Sequence, residues 1–311
     1  MKVSVALCTY NGAAFLKEQL QSIAQQSILP DELIIGDDGS TDNTISIIQA
    51  FQANASFPVT LIQHSRRLGV KANFFETIHA CSGQIVFLAD QDDVWKPNKI
   101  EEQLQLFQGD NVAFTFTNAE LSNASQSLFD IHFPFRIQRY YNHERLLTSL
   151  TQKNMVTGAT AALRKDFFER YYPFPTTELS DNILHDSQLH LLAILDPTVT
   201  TAFTSKSLMT YRVHSGQQVG IDTTKQGIGA VKRNRTNYIQ SFVDWADLQT
   251  QLAELVGATA EDKTLIGSFR AFCLGRLSNS SWILRLVFLV SNFKTYVRLR
   301  LSKEILRDLL P

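Results

Sequence analysis

The sequence predicts an α/β protein, with a mostly parallel, twisted sheet flanked by helices in a nucleotide-binding type of architecture. Two observations carry this. Short runs of β-branched and apolar residues alternate with longer amphipathic runs through the first half of the 311-residue chain. Three of the strand-like runs also end in polar clusters, CTYNG, GDDGSTDNT and ADQDD. In parallel sheets the ligand crevice lies beyond the carboxyl ends of the strands, where polar residues otherwise have no reason to gather.

Element by element, VSVALCTYN, DELIIGDDGS, VTLIQH, QIVFLADQDD and NVAFTFTNA read as strands, each a short apolar run closed by a turn signal. Between them FLKEQLQSIAQQ, TISIIQAFQ, ANFFETIHAC and IEEQLQLFQ have helical period. From about residue 120 the pattern loosens, and LSNASQSLFDIHFPFRIQRYYNHE reads as a loop or short elements, rich in aromatic residues and able to cover a cleft. NMVTGATAALRKDFFERYY then reads as a glycine turn, a strand and a helix, and NILHDSQLHLLAIL as a helix. After YRVHSGQQVG the stretch KQGIGAVKRNR carries four basic residues and no acid, and mostly helical sequence follows to Pro311. A first domain is expected over 1–222 and a helical C-terminal region over 223–311.

Composition narrows the function classes. With 44% hydrophobic and 19% charged residues the chain can bury a full core, which excludes disorder. Lysine and arginine total 29 against 30 acids, so no global field favours nucleic acid and any charge effect is local. Cys8, Cys81 and Cys273 are odd in number and far apart, giving neither a disulfide framework nor a zinc pattern, and read as core fillers. The opening MKVSVALCTYNG is too soon interrupted for a secretory signal, so a cytoplasmic location is expected. Near the end, SWILRLVFLVSNFKTYVRLRLSKEILRDLL interleaves apolar residues with Arg285, Lys294, Arg298, Arg300, Lys303 and Arg307. Its longest uncharged stretch falls far short of the roughly 20 apolar residues a span needs, so two readings stand. The segment packs on the rest of the chain or on a second copy as a homodimer contact, or it lies as a basic amphipathic helix on the inner face of the membrane.

In FLADQDDVW, Asp90, Asp92 and Asp93 crowd three carboxylates into four positions. Such acids cap the next helix, bind a hard cation or perform acid/base work. Pro97 sits near the start of IEEQLQLF, so Asp93 is assigned to that helix start. Asp90 and Asp92 remain as an Asp-x-Asp pair suited to Mg²⁺ or Mn²⁺ brought in with a diphosphate. GDDGSTDNT lacks the ligand spacing of a calcium loop; Ser40, Thr41 or Asp42 can cap the following helix, which leaves an acid available to a base edge or ribose hydroxyl. Neither GxGxxG nor GxxxxGK[ST] occurs. A rival reading takes Asp90, Asp92 and Val94 as the DxDxV of a haloacid dehalogenase-like phosphatase with Asp90 as nucleophile. A second rival is a non-catalytic protein that binds a sugar nucleotide.

The ordered set VSVALCTYNG, DELIIGDDGSTDNT, LGVKANF and VFLADQDDVWKPNKI resembles the family 2 inverting glycosyltransferases of the GT-A fold, and particularly their rhamnosyltransferase-like group. The resemblance is continuous over about residues 1 to 107 and returns in pieces to about residue 220. It implies a nucleotide-sugar half over 1–107 and an acceptor half over 108–222, with Thr9, Tyr10 and Asn11 lining the nucleotide pocket and Asp38 holding the base. Gly69 and Asn73 match the LGxxxNF stretch that closes over the nucleotide, and Asp90 and Asp92 the metal motif, with Asp92 the direct ligand of Mg²⁺ or Mn²⁺. HDSQ matches the position of the catalytic aspartate, making Asp186 the general base, with His185 where a glutamate is common. Arg212 and His214 match the late basic motif that touches the diphosphate, and GATAAL, through Gly158, Ala159 and Thr160, the acceptor-side glycine motif. Trp95 is placed on the acceptor side, as a cleft wall, a core residue or a sugar-stacking platform. The implied activity moves a sugar, rhamnose for the subgroup, from a dTDP- or UDP-linked donor to a saccharide or polyprenyl-linked acceptor in surface polysaccharide assembly.

Overall fold

The computed structural model describes residues 1–109, 111–132, 146, 149, 156–174, 183–214, 217, 235–279 and 282–298. Two compact units divide the chain: residues 1–134, 154–194 and 198–217 form the first, and 135–153, 195–197 and 218–311 the second.

The first unit is built on β1 (Val3–Thr9), α1 (Leu16–Ala24), β2 (Glu32–Asp37), α2 (Thr44–Gln52), β3 (Val59–Gln63), α3 (Val70–Ala80), β4 (Ile85–Asp90), β5 (Val94–Trp95) and α4 (Lys99–Leu104). It continues through β6 (Val112–Leu121), α5 (Leu128–His132), β7 (Ala161–Arg164), α6 (Lys165–Tyr171), α7 (His185–Leu195) and β8 (Thr200–Tyr211). One eight-stranded sheet runs β3-β2-β1-β4-β7-β6-β8-β5. β1, β2, β3 and β4 pair in parallel, and the unbroken apolar runs of β1, β2 and β4 suit strands covered on both faces, while β3, at the edge, is partly exposed. β7 lies antiparallel between β4 and β6, so the far half of the sheet is mixed. Val5, Leu7, Leu33, Ile35, Phe87 and Leu88 are wholly buried, each such side chain contributing roughly 1.5–3 kcal/mol.

Register turns the sequence clusters into one edge. Cys8 pairs with Gly36 and with Asp90, and Thr9 with Asp37, so the polar ends of β1, β2 and β4 stand side by side. α3 packs against β1 and β2 closely enough that a Cβ on Gly36 would lie 2.4 Å from Asn73 Oδ1. Glycine there lets Asn73 reach in and donate through Nδ2 to the Gly36 carbonyl at 2.8 Å, which fixes α3 over the sheet.

Every strand and helix read from the first 120 residues is present, as are the turn, β7 and α6 from the GATAAL stretch and the α7 helix. β8, twelve residues long, and the two-residue β5 it holds were not legible as strands, because TTAFTSKSLMTY mixes small polar residues with isolated apolar ones. The aromatic stretch after residue 132, the basic stretch at 225–234 and the chain beyond 298 lie outside the described residues. The three cysteines are free and buried, as core fillers should be.

The second unit contains α8 (Arg235–Leu255), α9 (Ala260–Ser278), α10 (Trp282–Ser291) and α11 (Phe293–Arg298). Thr259 caps α9 by accepting from Asp262 N at 3.1 Å. Trp245 donates its indole N–H to the Ser149 carbonyl, and Arg276 is buried beside the contacting rings of Phe272 and Tyr296. Among the described residues no helix is long and apolar enough to cross a membrane.

Candidate active site

The site lies in the first unit, along the carboxyl edge of β1, β2 and β4. On β1, Thr9 Oγ1 and Tyr10 N both donate to Gln91 Oε1, at 2.7 and 2.9 Å, and Gln91 Nε2 returns a bond to the Tyr10 carbonyl. Asn11 takes a left-handed φ of 49° and accepts from Thr41 N through Oδ1. Asp37 is wholly buried and consumed by its own turn, accepting from Gly39 N, Ser40 N and Ser40 Oγ. Asp42 accepts from Thr44 N and serves the start of α2. Asp38 accepts from Leu68 N at 2.5 Å and Gly69 N at 3.0 Å, one on each carboxylate oxygen, so it orders the loop leading into α3. In that loop Arg67 lies over the Tyr10 ring at 3.9 Å and 3.6 Å from Asp38. Gly69, at φ 86°, is the residue before α3, and Asn73 faces the sheet rather than the edge.

The three acids after β4 part company. Among the described residues the Asp90 side chain has no hydrogen-bond or ion-pair partner; burial first, then the charges of Asp92 and Asp186, push its carboxyl up to about 8. Asp92 Oδ2 lies 2.8 Å from His214 Nε2, whose ring packs on Phe15 at 4.4 Å. Arg212 donates through Nε to the Asp92 carbonyl and through a terminal nitrogen to Glu18, with its guanidinium over Phe15. Asp93 corrects the sequence reading. It is wholly buried and accepts from Arg212 N at 3.1 Å, whereas α4 begins later, after Asn98, with β5 between. Burial and the charges of Asp90 and Asp92 hold its carboxyl well above the ordinary range. Lys99, also buried, donates to Gln103 and is driven down to about 7 by desolvation, with Asp93 opposing. For Trp95 the core reading holds and the acceptor-side placement is corrected: 3% exposed, packed near Phe87 under the Lys99 ammonium, it offers no face to an acceptor sugar.

Asp186 lies in the first turn of α7 and is 6% exposed. Its Oδ2 accepts from Gly158 N at 3.0 Å and its Oδ1 from Ser187 N at 2.6 Å. Burial raises this carboxyl to about 6, with those two N–H donors opposing. That value suits a general base working near neutrality. The influence of Asp186 on Asp90 places the two carboxyls in one electrostatic neighbourhood. The turn Gly158–Thr160 is buried beside Asp186, with the Thr160 carbonyl held by Gln103 Nε2. Sequence reasoning passed over Gln91, which sits in the turn directly after β4 and is turned back onto the end of β1 by its bonds to Thr9 and Tyr10. Arg67 left only the signal of a basic pair, RRLG, beside an acidic strand end.

Among the described residues no three His, Cys, Asp or Glu side chains gather for a metal. Asp90 and Asp92 nonetheless fit a hard cation that keeps part of its shell for phosphate and water, and the raised proton affinity of Asp90 marks a negative cluster with charge still to be neutralised.

The fold is that of the GT-A glycosyltransferases. Mannosyltransferase PcManGT from Pyrobaculum calidifontis, solved with GDP-Man and Mn²⁺, superposes with a TM-score of 0.53 over 99% of this chain and 84% of its own, at 18% identity. TarS 1-349 of S. aureus, solved with UDP-GlcNAc, superposes with a TM-score of 0.59 over 99% of this chain and 79% of its own, at 16% identity. The chain belongs to glycosyl transferase family 2, whose family model matches residues 4–172. The dTDP-rhamnosyl transferase RfbG of Shigella flexneri is 24% identical over 290 residues, which cover 90% of this chain and 94% of RfbG. Other curated relatives match over shorter stretches; the chain spans 53% of the length of one and 30% of another. Family membership, with Asp90 on the fourth strand rather than the first, removes the phosphatase reading.

Proposed function

We propose that this chain transfers a sugar from a nucleoside diphosphate donor to a saccharide or lipid-linked acceptor in surface polysaccharide assembly, with inversion and with Asp186 as general base. The observation that carries it is Asp186 itself: a buried carboxylate at a helix start, held on both oxygens by N–H donors and tuned to about 6, on the sheet edge that carries the Asp90–Asp92 pair. Asp186 accepts the proton of the attacking hydroxyl. Thr9, Tyr10 and Asn11 with Asp38, Arg67 and Gly69 form the donor side, and Gly158 to Thr160 the acceptor side. Mg²⁺ or Mn²⁺ held by Asp90 and Asp92 supplies positive charge to the diphosphate leaving group; the presence of Mn²⁺ with GDP-Man in PcManGT supports this. Arg212 and His214 keep that acidic pair oriented through the Asp92 backbone and side chain.

Rhamnose on dTDP is the favoured donor, supported by the near full-length match to RfbG. Thermal-shift screening of dTDP-, UDP- and GDP-sugars with and without Mn²⁺, followed by assay of nucleoside diphosphate release, tests the reading. A metal-dependent shift with dTDP-rhamnose is expected; a shift with no nucleotide sugar at all overturns the transferase reading, and one confined to UDP- or GDP-sugars overturns the donor.

A peripheral membrane contact is favoured by the second unit. Leu284, Val287, Val290, Phe293 and Val297 are exposed at near-helical spacing along α10 and α11, and basic residues recur from Arg285 to Arg307. Flotation with anionic vesicles of the full chain and of a form lacking 281–311 tests it; equal behaviour of the two removes the idea.

A further inference from the structure

His185 precedes the proposed base and is 4% exposed, yet among the described residues neither ring nitrogen has a hydrogen-bond partner. Its ring stacks on Phe74 of α3 at 3.8 Å and 17°. Nε2 faces the backbone of Gly158, where a Cβ would lie 2.6 Å from Nε2 and 3.5 Å from the Asp186 Cβ. Packing alone would be better served by phenylalanine, since a buried polar group without a partner is destabilising and is uncommon in folded proteins. Burial holds the ring neutral, down to about 3, with Lys71 adding to the effect. A neutral imidazole offers one N–H donor and one acceptor, and a sugar hydroxyl can pair with either.

We propose that His185 is an acceptor-specificity residue, whose Nε2 binds a hydroxyl of the acceptor saccharide next to the one Asp186 deprotonates. This rests on the reading of Asp186 as base. The nitrogens are covered in the free chain, and Nε2, which meets only Gly158 backbone, is uncovered when the acceptor displaces that turn and takes the place of the Gly158 N–H at Asp186. Acceptor binding then relieves Nε2, and a saccharide lacking that hydroxyl leaves it unpaired. Discrimination of this kind is steep, because a site built to bond a hydroxyl rejects the analogue without one.

His185→Phe keeps the stacked ring and removes both nitrogens; His185→Gln restores a donor and an acceptor. Full-length protein carrying each change is assayed with dTDP-rhamnose, Mg²⁺ and octyl glycosides of glucose, N-acetylglucosamine and rhamnose. Parallel ¹⁵N-histidine spectra, assigned by the Phe variant, follow the His185 ring as each glycoside is added with dTDP and Mg²⁺. The expected result is a melting temperature at or above the parent's, an unchanged thermal shift with dTDP and Mg²⁺, an acceptor KM raised tenfold or more, and partial recovery with Gln. Ring resonances should move with a bound glycoside. An acceptor KM within twofold of the parent, a melting temperature that falls together with every activity, or ring resonances unmoved by all three glycosides overturns the inference. Failure of the base reading is distinct: Asp186→Asn would then keep transfer while the His185 spectra still respond.

Discussion

Replacing Asp186 by Asn should cost activity and add stability at once. Burial lifts this carboxyl from 3.8 to about 6, so the folded chain binds the proton more tightly than the unfolded one. For an acid shifted upward, ionisation works against the fold: the penalty is absent below about pH 4 and complete above about pH 6. The shift corresponds to ~3 kcal/mol. Asparagine cannot ionise and escapes that penalty, but its amide nitrogen must face one of the donors Gly158 N or Ser187 N, a loss of about 1–2 kcal/mol. The net expectation near neutral pH is a gain of ~1–2 kcal/mol, roughly 2–8 °C in melting temperature. The gain should shrink or reverse by about pH 4, where the parent carboxyl is also neutral. Transfer should fall by roughly 10²–10⁴-fold, and the parent's activity should decline below about pH 6 with the slope of one proton. Scanning fluorimetry at the two pH values, with nucleoside diphosphate release measured alongside, decides it. An Asn variant less stable than the parent at both pH values, or one that transfers within threefold of it, refutes the assignment of a buried, functionally ionised base.

Three further outcomes follow from the same geometry. Asp92→Asn should weaken the Mn²⁺-dependent thermal shift with nucleotide by at least about tenfold while raising the metal-free melting temperature, because it removes one of the charges that burden Asp90; an unchanged Mn²⁺ response removes Asp92 from the metal site. Gly158→Ala should cost roughly 1–3 kcal/mol and most of the activity, since its Cβ would lie 2.6 Å from His185 Nε2; parental stability and rate would show the turn to be slack. Asn73→Ala strips the Gly36 carbonyl of its 2.8 Å bond and should cost roughly 1–3 kcal/mol with nucleotide affinity intact. Weakened nucleotide binding without lost stability would instead place Asn73 in the pocket.

What the sequence carried was local and periodic. Strands β1 to β4 and the helices between them were legible because their apolar runs end where polar clusters start, and parallel register then aligns Thr9, Asp37 and Asp90 without further information. β8 was not legible, since a strand paired with β6 and β5 needs no continuous apolar run. The roles within the acidic cluster were hidden for a related reason. Asp93 looked like a helix-start residue from its neighbours in sequence, but its partner Arg212 N lies 119 residues away. Trp95 looked available because it follows three acids, yet α1 closes over it, with Ser22 Oγ accepting from its backbone N–H. Residue type signals that a carboxylate or a ring exists; only the packing of distant segments decides whether it is spent.

That distinction sorts the acids of this site. Asp37 is consumed by its turn and Asp38 by the Leu68 and Gly69 N–H groups, while Asp93 is buried with its Oδ1 on the Arg212 N–H. Asp92 is half committed, with one oxygen at His214. Asp90 has no partner and a proton affinity raised by its neighbours, and Asp186 is tethered but tuned upward by burial. A fold selected for stability alone would have paired Asp90 or replaced it, since a crowded carboxylate without a counter-charge lowers stability. The proton affinity of Asp93 is raised as well, but it sits wholly buried against the Arg212 N–H; Asp90 and Asp186, at the edge of the site, are the two that call for an external partner, a cation for Asp90 and a hydroxyl proton for Asp186. The run FLADQDDVW is one structural acid, one bridging acid and one acid waiting for charge, separated by a glutamine that ties the whole turn to Tyr10.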